Sequence, residues 1–154
     1  DNVATLHDKL SRAGAELLIE TIPRLIRGEI TPRAQNEDEA TYAPNIRPED
    51  EIIDWNRTAR EVYNHIRGLS PWPVASTYWS GQRVKIWGAK LLDEGTPQEV
   101  PGKIVNVAEE GIDIAAGNGV VRVTALQPAG KKVMDVKTFI NGNKIRIGEV
   151  WGRV

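Results

Sequence analysis

"STYWSGQRVKIWGAKLL", residues 76–92, is where the hydrophobic period of the chain changes from helical to alternating. Ser80-Gly81 in its middle is a two-residue turn signal, so the stretch reads as a β-hairpin. Downstream, "GKIVNVAEEGIDIAAGNGVVRVTAL", residues 102–126, predicts three more short strands separated by Glu109-Glu110-Gly111 and Gly117-Asn118-Gly119. A short helix over about Asp135 to Asn141 and a last strand near Ile145 to Val150 complete the region. Five or six short strands with glycine turns favour a small closed or nearly closed barrel over an open sheet, because closure removes exposed edges.

Working outward, Trp55, Ala59, Val62, Tyr63 and Ile66 recur in steps of three and four, which predicts a helix over Thr58 to Arg67, capped by Asp54 or Asn56 and ended by Gly68. Between helix and hairpin, "RGLSPWPVAST" (67–77) reads as a fixed joint, since Pro71 and Pro73 restrict the turn around Trp72. The opening stretch "TLHDKLSRAGAELLIETIPRLIRG" (5–28) carries Leu6, Leu10, Ala13, Leu17, Leu18 and Leu25 on one side of a helix. Thr5 and Asp8 resemble a capping box, Gly28 suits the C′ position, and Pro23 predicts a kink or break near Ile19 to Ile22. A lone helix cannot bury such a stripe, so it requires a packing surface elsewhere. Residues 29–50, with three prolines and mixed charge, read as an extended linker that Tyr42 and Ile46 would pin to a surface.

The 154 residues are 40% hydrophobic and 27% charged, as in globular proteins, and contain no cysteine. Disulfide scaffolds, thiolate zinc sites and cysteine nucleophiles are therefore excluded, and a reducing compartment, the cytoplasm, is expected. No apolar run approaches the roughly 20 residues of a membrane span, and no secretory signal is present. A start without methionine points to a piece of a longer chain. The net charge of −1 hides an asymmetry: residues 1–50 carry 6 basic and 10 acidic side chains, residues 51–154 carry 14 and 11. From Ala115 onward seven Lys/Arg, Arg153 among them, face only Asp135 and Glu149, a gradient that suits a polyanionic partner.

The catalytic inventory is thin. His7 and His65 are the ordinary acid-base groups, each on a predicted helix without a convincing partner, and read more simply as solvated. Ser70 and Ser76 lack a base and the frame of a nucleophile elbow. Glu109-Glu110 and Glu37-Asp38-Glu39 solvate a turn and a linker rather than matching metal-ligand spacing. "AGNGV" joins two strands and opens no helix, which favours a tight hairpin over a phosphate loop. Trp55, Trp72, Trp79 and Trp87 could offer stacking faces to bases, but at such positions large rings more simply fill a small core. "LQPAGKKVM" (126–134) is the better candidate: a strand exit, a Pro-Ala-Gly turn and two lysines that cannot both be buried, able to meet neighbouring phosphates.

Taken together, "LHDKLSRAGAELL", "ATYAPNI", "IDWNRTAREVYNHIRGLSPWP", "VKIWGAKLL", "PGKIV" and "LQPAGKKVM", in that order and spacing, resemble the C-terminal half of the methionyl-tRNA formyltransferase family. The resemblance spans nearly the whole chain. It implies a mainly β fold with α, in which a small Greek-key open barrel of oligonucleotide-binding type is preceded by a helix. It also implies that residues 1–28 are the terminal helix of a Rossmann-like catalytic domain otherwise absent, that 29–50 are a linker, and that 51–154 are a tRNA-binding domain. The family's folate loop and catalytic Asn, His and Asp would lie upstream of Asp1, so the chain alone is expected to be inactive and to bind no cofactor or metal. The parent's co-substrate would be 10-formyltetrahydrofolate, its partner initiator methionyl-tRNA, and its state monomeric, without membrane attachment. Candidate phosphate contacts are Lys131 and Lys132, then Arg122, Lys85, Arg83 and Lys103, with Arg67 at the joint. Arg47 is the linker candidate, substituting for a basic residue that many relatives carry where Asn45 stands. A structural subdomain of a formyltransferase acting on a sugar amine or other small molecule, and a free-standing oligonucleotide-binding module, are the alternatives.

Overall fold

The Ser80-Gly81 turn holds both its residues at positive φ, 50° and 74°, as a two-residue turn matched to strand twist requires. In the computed structural model, which describes residues 1–95 and 99–152 and so leaves out Arg153, this turn joins β1 (Ser76–Trp79) to β2 (Gln82–Asp93). Three further strands follow, β3 (Ile104–Ala108), β4 (Gly111–Ala115) and β5 (Val120–Pro128), and the two-residue β6 (Met134–Asp135) pairs with β5. The order is β1-β2-β5-β4-β3, antiparallel throughout. Three strands joined by hairpins, with β2 returning beside β5, make a Greek key.

Register shifts between Ile86 and Gly88, Gly88 and Ala89, and Leu91 and Asp93 interrupt the long β2 ladder, and such bulges bend a strand. The open edges, β1 and β3, are then joined by the last described residues. Ile104 N–H donates to the Glu149 carbonyl (2.7 Å) and Trp151 N–H to that of Gly102 (2.8 Å), while Gly152 N–H reaches the Tyr78 carbonyl on β1 (2.8 Å). The strand expected near Ile145 to Val150 is therefore not a strand. Ile147 is exposed, Gly148 sits at φ 93°, and a single bridge, Lys103 to Val150, remains.

Inside, Val84, Ile86, Ile104, Ile112, Ile114, Val121, Val123 and Leu126 are fully buried. The helix α2 (Ala59–Gly68) packs on β2 and β5 through Ala59, Val62 and Ile66, one face at helical spacing. At the other side α3 (Val136–Gly142) inserts Phe139, whose ring meets Trp79 edge-on at 5.2 Å. Neither Asp54 nor Asn56 caps α2. Thr58 does, in a reciprocal box with Glu61: Thr58 N–H to Glu61 Oε2 2.9 Å, Glu61 N–H to Thr58 Oγ1 3.2 Å. The Gly117-Asn118-Gly119 turn completes the cap from a distance, since Asn118 Oδ1 accepts the Ala59 N–H at 2.9 Å and Gly117 N–H donates to the Arg57 carbonyl at 2.7 Å. The turn thus serves a helix start rather than an anion.

The first helix, α1 (Val3–Ile26), buries no residue; Leu10, Leu17, Leu18 and Ile19 are all more than half exposed. Its cap is Asn2 with Thr5, not Thr5 with Asp8. Pro23 does not break it. The missing N–H lies one turn from the end, and Arg27 N–H still closes on the Pro23 carbonyl (3.1 Å). Gly28, at φ 69°, ends the helix as expected, with Gly28 N–H to Leu25 O (3.0 Å) and Glu29 N–H to Arg24 O (2.9 Å), a Schellman pair. From Thr31 to Asp50 every residue is exposed. Tyr42, at 90% exposure, and Ile46 pin the segment to nothing. Among the described residues no helix is long and apolar enough to cross a membrane.

Two substitutions test this construction. Gly117→Ala would drive a methyl group into the Asn56 carbonyl oxygen. A loss of about 2 kcal/mol is expected, measured as a lower urea midpoint. Asp113, 5% exposed, accepts two bonds from Arg122 (2.6 and 2.9 Å) and one from Asn106 (3.0 Å). Asp113→Ala strands both donors and should cost about 3 kcal/mol in the same measurement.

Candidate nucleic-acid interface

Alternation along β2 decides which side chains reach the surface. With Val84 and Ile86 in the core, Arg83, Lys85 and Trp87 stand on the outer face. Register then sets their neighbours, because Lys85 pairs with Gln127 and Val84 with Pro128. Gln127 is the organiser. Its Oε1 accepts the Trp87 indole N–H at 3.0 Å, and its Nε2 donates to the Lys131 carbonyl at 2.9 Å. With Lys131 N–H closing on the Pro128 carbonyl (3.1 Å) and Gly130 at φ 70°, the turn after β5 is held at both ends.

Arg83 and Lys85 form one wall of a shallow cavity of about 220 Å³ whose other wall is that turn, Gln127 to Gly130. The side chains of Lys131 and Lys132 are exposed, and among the described residues neither ammonium pairs with a carboxylate. Among the described residues Lys85 binds a carbonyl, that of Pro73 (3.2 Å), and no carboxylate, so its charge is not cancelled by them either. Arg83 is partly neutralised by Glu51 (2.6 Å) and braced by Ser76 Oγ (2.8 Å). Lys85 and the partly neutralised Arg83 thus face a turn that continues directly into Lys131 and Lys132.

The other candidates lie elsewhere or are engaged. Arg67, in the last turn of α2, lies over the Tyr63 ring (5.4 Å) and donates to Asn64 and to the Asp1 carbonyl. It borders a neighbouring cavity that Trp87 also lines, so it adjoins the cluster across that ring. Arg122 is clamped by Asp113, whose hydrogen bonds hold the guanidinium pKa above its ordinary value. Lys103 pairs with Glu99 (2.6 Å) beside a different cavity, and Arg47 pairs with Glu49 and Asp50 in the exposed linker.

Neither histidine belongs to a catalytic array. His7 is exposed beside Asp8, whereas His65 is not solvated as expected but half-buried, and burial pushes its pKa down, opposed by the Glu51 backbone carbonyl, which favours the protonated ring. The tryptophans divide. Trp55 is 4% exposed and bonds Thr77, and Trp79 and Trp87 are half-buried, but Trp72 is 78% exposed. The available signal for it was a large ring between two prolines, off both the helical and the strand period.

The chain is 54% identical over 153 residues to the methionyl-tRNA formyltransferase of Bacillus subtilis, covering 99% of this chain and 48% of that protein. It is 44% identical over 154 residues to the one of Lactococcus lactis subsp. lactis, with the same two coverages. It spans about half the length of the curated relatives it matches. Among solved structures, a variant of HypX from Aquifex aeolicus shares the fold at a TM-score of 0.64 and 18% identity, over 92% of this chain and 26% of that one. HypX in complex with tetrahydrofolic acid matches at 0.58 and 17% identity, over 87% of this chain and 26% of that one. A family profile described as "Formyl transferase, C-terminal domain" matches residues 45–144, which takes in α2, the whole sheet and α3. The chain belongs to the formyl transferase C-terminal domain family.

Proposed function

We propose that this chain is the tRNA-holding C-terminal part of a methionyl-tRNA formyltransferase, and that it binds the phosphate backbone of initiator methionyl-tRNA at the corner built by Arg83, Lys85, Lys131 and Lys132. The observation that carries the reading is the lysine turn: two exposed, unpaired ammonium groups on a backbone locked by Gln127, beside two more cations. Such a group supplies sequence-independent affinity and fixes orientation without reading bases. Arg67 extends the contact across Trp87, while Arg122, Lys103 and Arg47, already held by carboxylates, contribute less. The names of the relatives favour tRNA over a sugar amine as the partner of the parent enzyme.

In the parent reaction the methionyl amino group attacks the formyl carbon carried by 10-formyltetrahydrofolate. A folate-bound neighbour of the same fold supports that co-substrate. In the cavity beside His65, Glu49, Asp50 and Asp54 outnumber Arg57, a lining that disfavours the carboxylates of a folate there. The task left to this chain is positional, keeping the tRNA body still so that its aminoacylated end reaches the catalytic half. The reading places the protein in translation initiation, in the cytoplasm, as a monomer.

Titration with tRNA at two salt concentrations tests the interface. Lys131→Ala with Lys132→Ala should weaken binding and lower the slope of log K against log salt by about 2; an unchanged slope removes the turn from the interface. Mixed with 10-formyltetrahydrofolate and methionyl-tRNA, the chain should yield no formylated product, and turnover would overturn the division of labour.

A further inference from the structure

We propose that Trp72 is a stacking platform for one unpaired nucleotide of the bound RNA, an inference that rests on the RNA-binding reading above. Of the five tryptophans, four are buried or half-buried, and Trp72 alone turns 78% of its surface to water. Its corner is nonetheless fixed. Prolines at 71 and 73 restrict the backbone on both sides, Val74 N–H donates to the Leu69 carbonyl (2.8 Å), and Leu69 and Val74 are both buried. The ring is thus carried outward by a backbone that cannot fold it back into the core.

Its surroundings identify the ligand. The Pro73 carbonyl, one residue away, holds the Lys85 ammonium at 3.2 Å, and Lys85 lines the same cavity as Arg83 and the lysine turn. An exposed aromatic ring one residue from the carbonyl that holds a lysine ammonium, with further cations along the cavity which that lysine lines, is an arrangement by which proteins hold single-stranded nucleic acid: cations follow the backbone, and the ring accepts a base without regard to its identity. A duplex keeps its base faces covered by stacking, so the ring distinguishes unpaired from paired RNA, which the lysines alone cannot do.

The test titrates the 154-residue chain with a short single-stranded RNA and with an RNA duplex, each at two salt concentrations, using Trp72→Ala, Trp72→Phe and the double lysine variant. Trp72→Ala should weaken single-strand binding about tenfold, leave the duplex affinity and the salt slope unchanged, and reduce the indole quenching that accompanies single-strand binding. Trp72→Phe should recover most of the affinity. Equal single-strand affinity of wild type and Trp72→Ala, with the lysine variant still weakened, overturns the stacking role alone and leaves the ring to a protein partner. An equal loss on both RNAs, or no recovery by Phe, also overturns it. If the wild-type chain binds neither RNA at low salt, the RNA-binding reading itself falls.

Discussion

The antiparallel pairing of β2 with β5 is the constraint on which the rest depends. It sets Ile86 opposite Leu126 in the core, and by the same register places Lys85 opposite Gln127 on the outside. Because side chains alternate with a period of two, a slip of one residue would turn lysines inward and isoleucine outward. Core and candidate interface therefore share one specification. The local turns, Ser80-Gly81 and Gly117-Asn118-Gly119, pair β2 with β1 and β5 with β4 on either side of that central ladder.

What was legible in the sequence was whatever depends on near neighbours. The Ser80-Gly81 hairpin, the Gly28 helix end, the three-strand meander and α2 follow from turn chemistry and period, and the structure has them where the sequence places them. The misses share a cause. Ile145, Ile147 and Val150 look like a strand, but Gly148 and the need to reach both barrel edges turn that segment into a clasp. Asn118 caps α2 from 59 residues away, a partnership no local motif encodes.

The same limit applies to the charged residues. Charge, turns and the family resemblance marked eight cations as candidates, yet which of them carry uncancelled charge depends on partners brought near by folding: Asp113 for Arg122 across a β-ladder, Glu51 for Arg83 from 32 residues away. A lysine next to a lysine on a turn was readable because nothing could shield both. Trp72 was readable as a rigid corner but not as an exposed ring, since exposure depends on what packs around the corner and not on the prolines themselves.

The anchoring of the turn after β5 separates shape from charge. Its conformation rests on the Gln127 amide, the Pro128 carbonyl and a left-handed glycine, and the lysine side chains take no part in holding it. The two positions are thus free to vary in sequence at almost no cost to folding, so selection can tune the strength of attraction there as an independent variable. The barrel behaves as a mount, and its cations as interchangeable fittings whose number adjusts how long a polyanion stays.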